Sequence, residues 1–158
     1  MTDFTMKTDG DGIATITWDV KNKSMNVMTL EAWDVLEGLI DAALGDADVK
    51  GVIITSGKDS FAGGMDLNII ARMKAQAGDE PAKGLFDGLM EKHAILRKIE
   101  RAGMDPKTLK GGKPIAAALT GTSLGIGYEL PLACHRIFAA DRPGAKIGLP
   151  EILVGIFP

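Results

Sequence analysis

Apolar and polar residues alternate along ATITWD, Ala14 to Asp19, and the turn signal DGDG, Asp9 to Gly12, separates this run from Met6 and Lys7. Alternation with period two puts every second side chain on one face of a strand, so a β-hairpin is expected over Met6–Lys7 and Ile13–Trp18. The acidic turn lacks the spaced oxygen ligands and closing Glu of an EF-hand loop, and it is read as a turn. From Thr29, a suitable N-cap, the period lengthens, and Trp33, Leu36, Ile40 and Leu44 share one helical face. GVIITS, Gly51 to Ser56, is a β-branched run suited to a buried strand. It leads into a turn containing Gly63 and Gly64, with Asp66 placed to cap a following helix. Leu85, Leu89, Ile95 and Ile99 give Ala82–Ala102 the pattern of an amphipathic helix.

PIAAALT, Pro114 to Thr120, is a short apolar strand, and GTSLGIGYELPLAC, Gly121 to Cys134, turns from it into a helix carrying Glu129. RIFAAD, Arg136 to Asp141, is a further strand, RPG a turn, and KIGLPEILVGIFP brings a second carboxylate, Glu151. Alternating strands and helices without a repeat or linker favour a single α/β domain.

The 158 residues are 46% hydrophobic and 25% charged, ordinary for a globular chain able to bury a core. A net charge of -3 disfavours a nucleic-acid groove or an anionic membrane surface as partner. The apolar span Pro114 to Cys134 is interrupted by Gly121, Gly125, Gly127, Glu129 and Pro131, so no membrane-spanning helix is expected. The polar start MTDFTMKTDGDG has neither the basic nor the apolar region of a signal peptide. One cysteine, Cys134 in an apolar context, suits a reducing compartment, and a cytoplasmic location is expected.

The central turn admits two chemistries. GTSLG, Gly121 to Gly125, matches the G-x-S-x-G nucleophile elbow, with Ser123 as nucleophile. Its base would have to be His135, about 15 Å away along a helix rising 1.5 Å per residue. The other chemistry uses backbone N–H groups of the two glycine turns as oxyanion donors, with Glu129 and Glu151 as acid and base. Both glutamates could equally be capping or ion-pair residues. His93 has no Cys, His or Glu at ligand spacing and is read as helix surface, and no metal site is expected. Lys21 and Lys23 are either solvated charges or phosphate contacts. GGKP at Gly111 to Pro114 and the turn at Gly63 both lack the Lys-Ser or Lys-Thr pair of a phosphate loop.

SFAGGMDL and TGTSLGIGYELPLACHRIFAADRPGAKIGLPEILVGIFP resemble, in order and spacing, the two signature regions of the enoyl-CoA hydratase/isomerase (crotonase) superfamily. PLACHRIFAAD resembles most the hydratase portion of bacterial multifunctional fatty-acid oxidation proteins, which carry a 3-hydroxyacyl-CoA dehydrogenase further along. The resemblance implies a crotonase-like fold of repeated ββα units, with the chain stopping before the family's C-terminal helices. It implies reversible syn addition of water to a trans-2-enoyl-CoA, with a non-catalytic CoA-binding module as the alternative. The oxyanion N–H groups would fall on Gly63 and Ile126, and the catalytic acid and base on Glu129 and Glu151. Coenzyme A, as part of the substrate, would lie along Lys21, Lys23, Ser24 and Asn26 and the turn Ala62, Gly64, Met65 and Asp66. No redox cofactor is implied, and the partners implied are an acyl-CoA and either a homo-oligomer or a multifunctional polypeptide. A chain of this length is expected to expose apolar surface, to associate and to be poorly active alone.

Overall fold

The computed structural model describes residues 2–66, 69 and 81–155. The hairpin forms as expected but longer: β1 (Phe4–Thr8) pairs antiparallel with β2 (Ile13–Trp18) from Phe4↔Trp18 to Thr8↔Ala14. The chain then crosses over through α1 (Leu30–Gly45) to β3 (Gly51–Ser56), parallel to β2. A second crossover includes α2 (Pro81–Arg101) and reaches β4 (Ile115–Leu119), parallel to β3. β5 (Ser123–Leu124) and α3 (Ile126–Leu132) follow, then β6 (Arg136–Ala139), parallel to β4. The main sheet has the order β1-β2-β3-β4-β6, and β5 forms a separate two-stranded sheet with β7 (Ile147–Gly148). A 3-10 turn, Glu151–Val154, follows β7.

The hydrophobic pattern dictates this layering. In β2 the alternation buries Ala14, Ile16 and Trp18. In α1 the 3.6-residue period buries Trp33, Leu36 and Ile40, with Ala43 completing the face and Leu44 only half-buried. The Thr29 hydroxyl accepts from the Ala32 N–H, as its N-cap position requires. Phe4 stacks on Trp18 at 5.0 Å between ring centroids, and Phe61 meets the same indole edge-on at 6.0 Å. Ile95 and Ile99 of α2 join this core, whereas Leu89, expected on the buried face, is 40% exposed beside Phe86 and Met90. Lys98 ties α2 to α1 through Glu37 and Asp41, at 2.6 and 2.8 Å. Among the described residues no helix is long and apolar enough to cross a membrane.

Two expectations change. The helix after the glycine turn ends at Leu132, not Cys134, and His135 lies beyond it with Nδ1 accepting from the Ile115 N–H. The stretch between β4 and that helix is not a bare turn: Ser123–Leu124 pairs with β7 and bridges Ala62. The expected apolar surface is present, for Leu132, Phe138, Ile147, Leu149, Ile152 and Leu153 are all exposed. β6, the edge strand of the main sheet, buries none of its four residues.

At the carboxyl ends of β2 and β3, where loops of a parallel sheet converge on ligands, a single buried amide organises the chain. Asn26 is wholly buried; its Nδ2 lies 3.0 Å from the Trp18 carbonyl, 3.0 Å from Ser56 Oγ and 2.9 Å from the Phe61 carbonyl. Its Oδ1 accepts from the Val20 N–H at 2.9 Å. Removing this side chain would strand several polar groups that water cannot reach, each costing roughly 1–3 kcal/mol. Asn26→Ala is therefore expected to lower unfolding free energy by about 4 kcal/mol, measured by urea denaturation. Asn26→Asp, which keeps the acceptor and loses the donors, is expected to be no better.

Candidate active site

Three segments meet beyond the ends of β2, β3 and β4: residues 24–28, 61–66 and 121–126. Backbone hydrogen bonds join them. Ala62 donates to the Thr122 carbonyl and accepts from Leu124, at 3.2 and 3.1 Å, which fastens the first glycine turn to β5. Met28 donates to the Gly64 carbonyl at 2.9 Å, and Asp66 donates to the Met28 carbonyl at 3.1 Å, which fastens the same turn to the segment before α1. Gly64, at φ +107°, lies where only glycine is comfortable, and an added Cβ would stand 3.3 Å from the Leu124 carbonyl oxygen.

These bonds correct part of the residue assignment. The Gly63 N–H, expected as an oxyanion donor, donates to the Asn26 carbonyl at 2.8 Å and is already committed. Met65 differs: the two bonds around it join its neighbours to Met28, so its own N–H turns away from that segment and has no partner among the described residues. The Ile126 N–H, first in α3, also has no partner among the described residues. Asn26 and Ala62, expected against coenzyme A, are wholly buried, with the Asn26 side-chain amide and the Ala62 N–H and carbonyl hydrogen-bonded inside the protein.

Lys21, Lys23 and Ser24 are exposed at the rim of the β2–α1 loop. Lys21 is bound to Asp19 at 2.7 Å, and Asp19 also takes Lys58 at 2.7 Å. The two ammonium groups hold the Asp19 carboxyl down at about 2, first through their hydrogen bonds. Lys58, which the sequence did not single out, thus leaves a net positive charge on this cluster. Ser123 is wholly buried, its hydroxyl donating to the Gly127 carbonyl at 2.8 Å, and His135 lies at the far end of β4. The elbow reading thus lacks an accessible nucleophile, and His135, the base it would use, stands at the opposite end of β4. Cys134 is half-buried and its thiol is pushed up to about 12 by burial, which makes it inert.

Glu129 and Glu151 come together over Gly125. The Glu129 N–H donates to the Gly125 carbonyl at 3.0 Å, and the Gly125 N–H donates to the Gly148 carbonyl at 3.0 Å, three residues before Glu151. Burial raises the Glu129 carboxyl above the usual glutamate range, the charge of Glu151 raises it further, and exposed His93 pulls it down. Oε2 of Glu151 is buried without a hydrogen-bond partner among the described residues. Among the described residues no group of three His, Cys, Asp or Glu side chains is arranged to hold a metal.

A carboxyl raised on folding stabilises the fold below its unfolded value, and that contribution is lost as pH rises through the folded value. Ionised Glu129 therefore costs stability at neutral pH. Glu129→Gln is expected to be more stable than the parent at pH 7 and indistinguishable from it below pH about 4, by urea melts across that range.

Comparison with known proteins agrees with this architecture. A family model described as enoyl-CoA hydratase/isomerase matches residues 8–158. The fatty acid oxidation complex subunit alpha of Shewanella frigidimarina is 31% identical over 156 residues, covering 98% of this chain and 20% of that protein. The subunit of the same name from Idiomarina loihiensis is 34% identical over the same span. The chain thus spans about a fifth of the length of these curated relatives. Among solved structures, an enoyl-CoA hydratase from Geobacillus kaustophilus superposes with a TM-score of 0.78 at 29% identity, covering 99% of this chain and 52% of that one. An enoyl-CoA hydratase/isomerase from Xanthobacter autotrophicus gives 0.75 at 27% identity, covering 96% and 50%. The fold is crotonase-like α/β, and with the family model matched over residues 8–158 the chain belongs to the enoyl-CoA hydratase/isomerase family.

Proposed function

We propose that the chain forms the site of an enoyl-CoA hydratase, adding water reversibly and syn across the double bond of a trans-2-enoyl-CoA. The observation that carries this reading is the convergence at Gly125 of two acidic side chains with the unpartnered N–H of Ile126. The Met65 N–H, replacing Gly63 in this role, and the Ile126 N–H hold the thioester oxygen as negative charge develops on it. One such donor contributes about 3–4 kcal/mol to the transition state. Glu129 positions the water and takes its proton while the hydroxyl oxygen bonds to the β-carbon. Glu151 delivers a proton to the α-carbon, so that H and OH are both added and no redox equivalent is required.

Coenzyme A runs along the exposed rim at Lys21, Lys23 and Ser24 and the turn at Gly64, Met65 and Asp66, with Lys58 adding charge behind Lys21. The hydration scheme calls for no further cofactor. The relatives named as fatty acid oxidation subunits support a place in fatty-acid oxidation, within a larger multifunctional polypeptide or a homo-oligomer.

Hydration of crotonyl-CoA tests the scheme. Glu129→Gln and Glu151→Gln are each expected to lower kcat by about 100-fold or more. Unchanged turnover in both would leave a non-catalytic CoA-binding module in its place. Ile126→Pro removes one N–H at the first helical position, where proline is tolerated, so it is expected to keep the fold and lose about 100-fold in kcat. Ser123→Ala is expected to leave turnover unchanged, whereas a serine hydrolase would lose an esterase activity.

A further inference from the structure

Gly125 stands at the junction of both acidic residues, and its geometry asks more of it than a turn does. Its φ of +56° and ψ of −135° fall outside the regions open to residues with a side chain. Its carbonyl accepts from Tyr128 and Glu129, at 2.6 and 3.0 Å, and so starts the helix that carries Glu129. Its N–H binds Gly148 and so fixes the strand that leads into Glu151. An added Cβ would lie 2.7 Å from Glu151 Oε1, 3.6 Å from its Cδ and 3.7 Å from the Gly64 Cα. The first distance is below any normal contact, and the obstructing atom is the tip of a flexible side chain. That tip would yield before the backbone did.

We propose that Gly125 is a positioning residue for Glu151: the bare Cα at 125 is the surface against which the Glu151 carboxylate rests, and this contact sets its placement opposite Glu129. The inference rests on the reading of the two glutamates as a working pair. It differs from the role of Gly127, where an added Cβ would meet the Ala62 side chain at 2.5 Å and the constraint is packing. With Oε1 resting against Gly125, Oε2 is the buried oxygen left without a partner among the described residues.

Site-resolved carbon-13 NMR titration of the Glu129 carboxyl tests the proposal without depending on turnover. Burial, the Glu151 charge and His93 act on Glu129, and only the second is removed in Glu151→Gln, which should lower its titration midpoint. Gly125→Ala is expected to lower the midpoint in the same direction, and the double variant to match Glu151→Gln alone. A midpoint in Gly125→Ala equal to that of the parent, or an equal further change in the Glu151→Gln background, would overturn the proposal. Should Gly125→Ala fail to fold, Glu151→Asp draws the carboxylate back by one methylene with residue 125 untouched; it too must lower the midpoint, and an unaltered value sinks the idea. In crotonyl-CoA hydration Gly125→Ala should cost about 100-fold in kcat, with little change in KM, and nothing further when Glu151 is already Gln. A midpoint that responds as described in a protein without hydratase turnover would refute the hydratase reading and leave the role of Gly125 intact.

Discussion

The buried amide of Asn26 holds three stretches of chain in one place, and the candidate site exists only where those stretches meet. Its side chain bonds the end of β2 at Trp18 and Val20, the end of β3 at Ser56, and the Phe61 carbonyl at the entrance to the first glycine turn. Its own carbonyl takes the Gly63 N–H. In water such bonds exchange at little cost. Inside the core each has no substitute, so the loops that follow two parallel strands are specified to within the tolerance of a hydrogen bond. The aromatic cluster of Phe4, Trp18 and Phe61 excludes solvent from the same region.

Precision delivered there passes on to the second turn. Ala62 pairs with β5, β5 pairs with β7, and β7 ends three residues before Glu151. Glu129 enters from α3, whose first turn is anchored on Gly125. Two carboxylates from different elements are thus brought together by backbone pairing. Burial first, and the charge of Glu151 after it, hold the Glu129 carboxyl above the usual glutamate range, which is the electrostatic cost of that arrangement.

Much of this was legible in the residues. The period-two run of β2, the Thr29 cap, the β-branched run of β3 and the apolar spacing of Ile95 and Ile99 each specify a local conformation, and each forms. The resemblance of the two signature stretches singled out Glu129 and Glu151, and the fold brings both side chains close to Gly125 and to each other. What failed depended on partners far along the chain. Asn26 reads as a polar loop residue, and only the fold shows its amide enclosed; Leu89 has helical spacing but faces outward; β5 and β7 are two residues each, too short for any period. The choice between Gly63 and Met65 turns on the direction of a peptide group, which side-chain chemistry does not encode.

That direction has a consequence in counting. In a regular strand, N–H groups point alternately to the two sides, so Ala62 facing β5 and Gly63 facing Asn26 would be followed by Met65 facing Asn26 again. Instead the Gly63 N–H and the Gly64 carbonyl face the same side, and φ at Gly64 is +107°. The pair behaves as a β-bulge, two residues doing the work of one, and it reverses the parity of everything after it. Met65 turns its N–H away from the Asn26–Met28 segment because of that single surplus residue. Deleting one of these two glycines would leave every nearby side chain type in the sequence and yet turn that N–H into the protein.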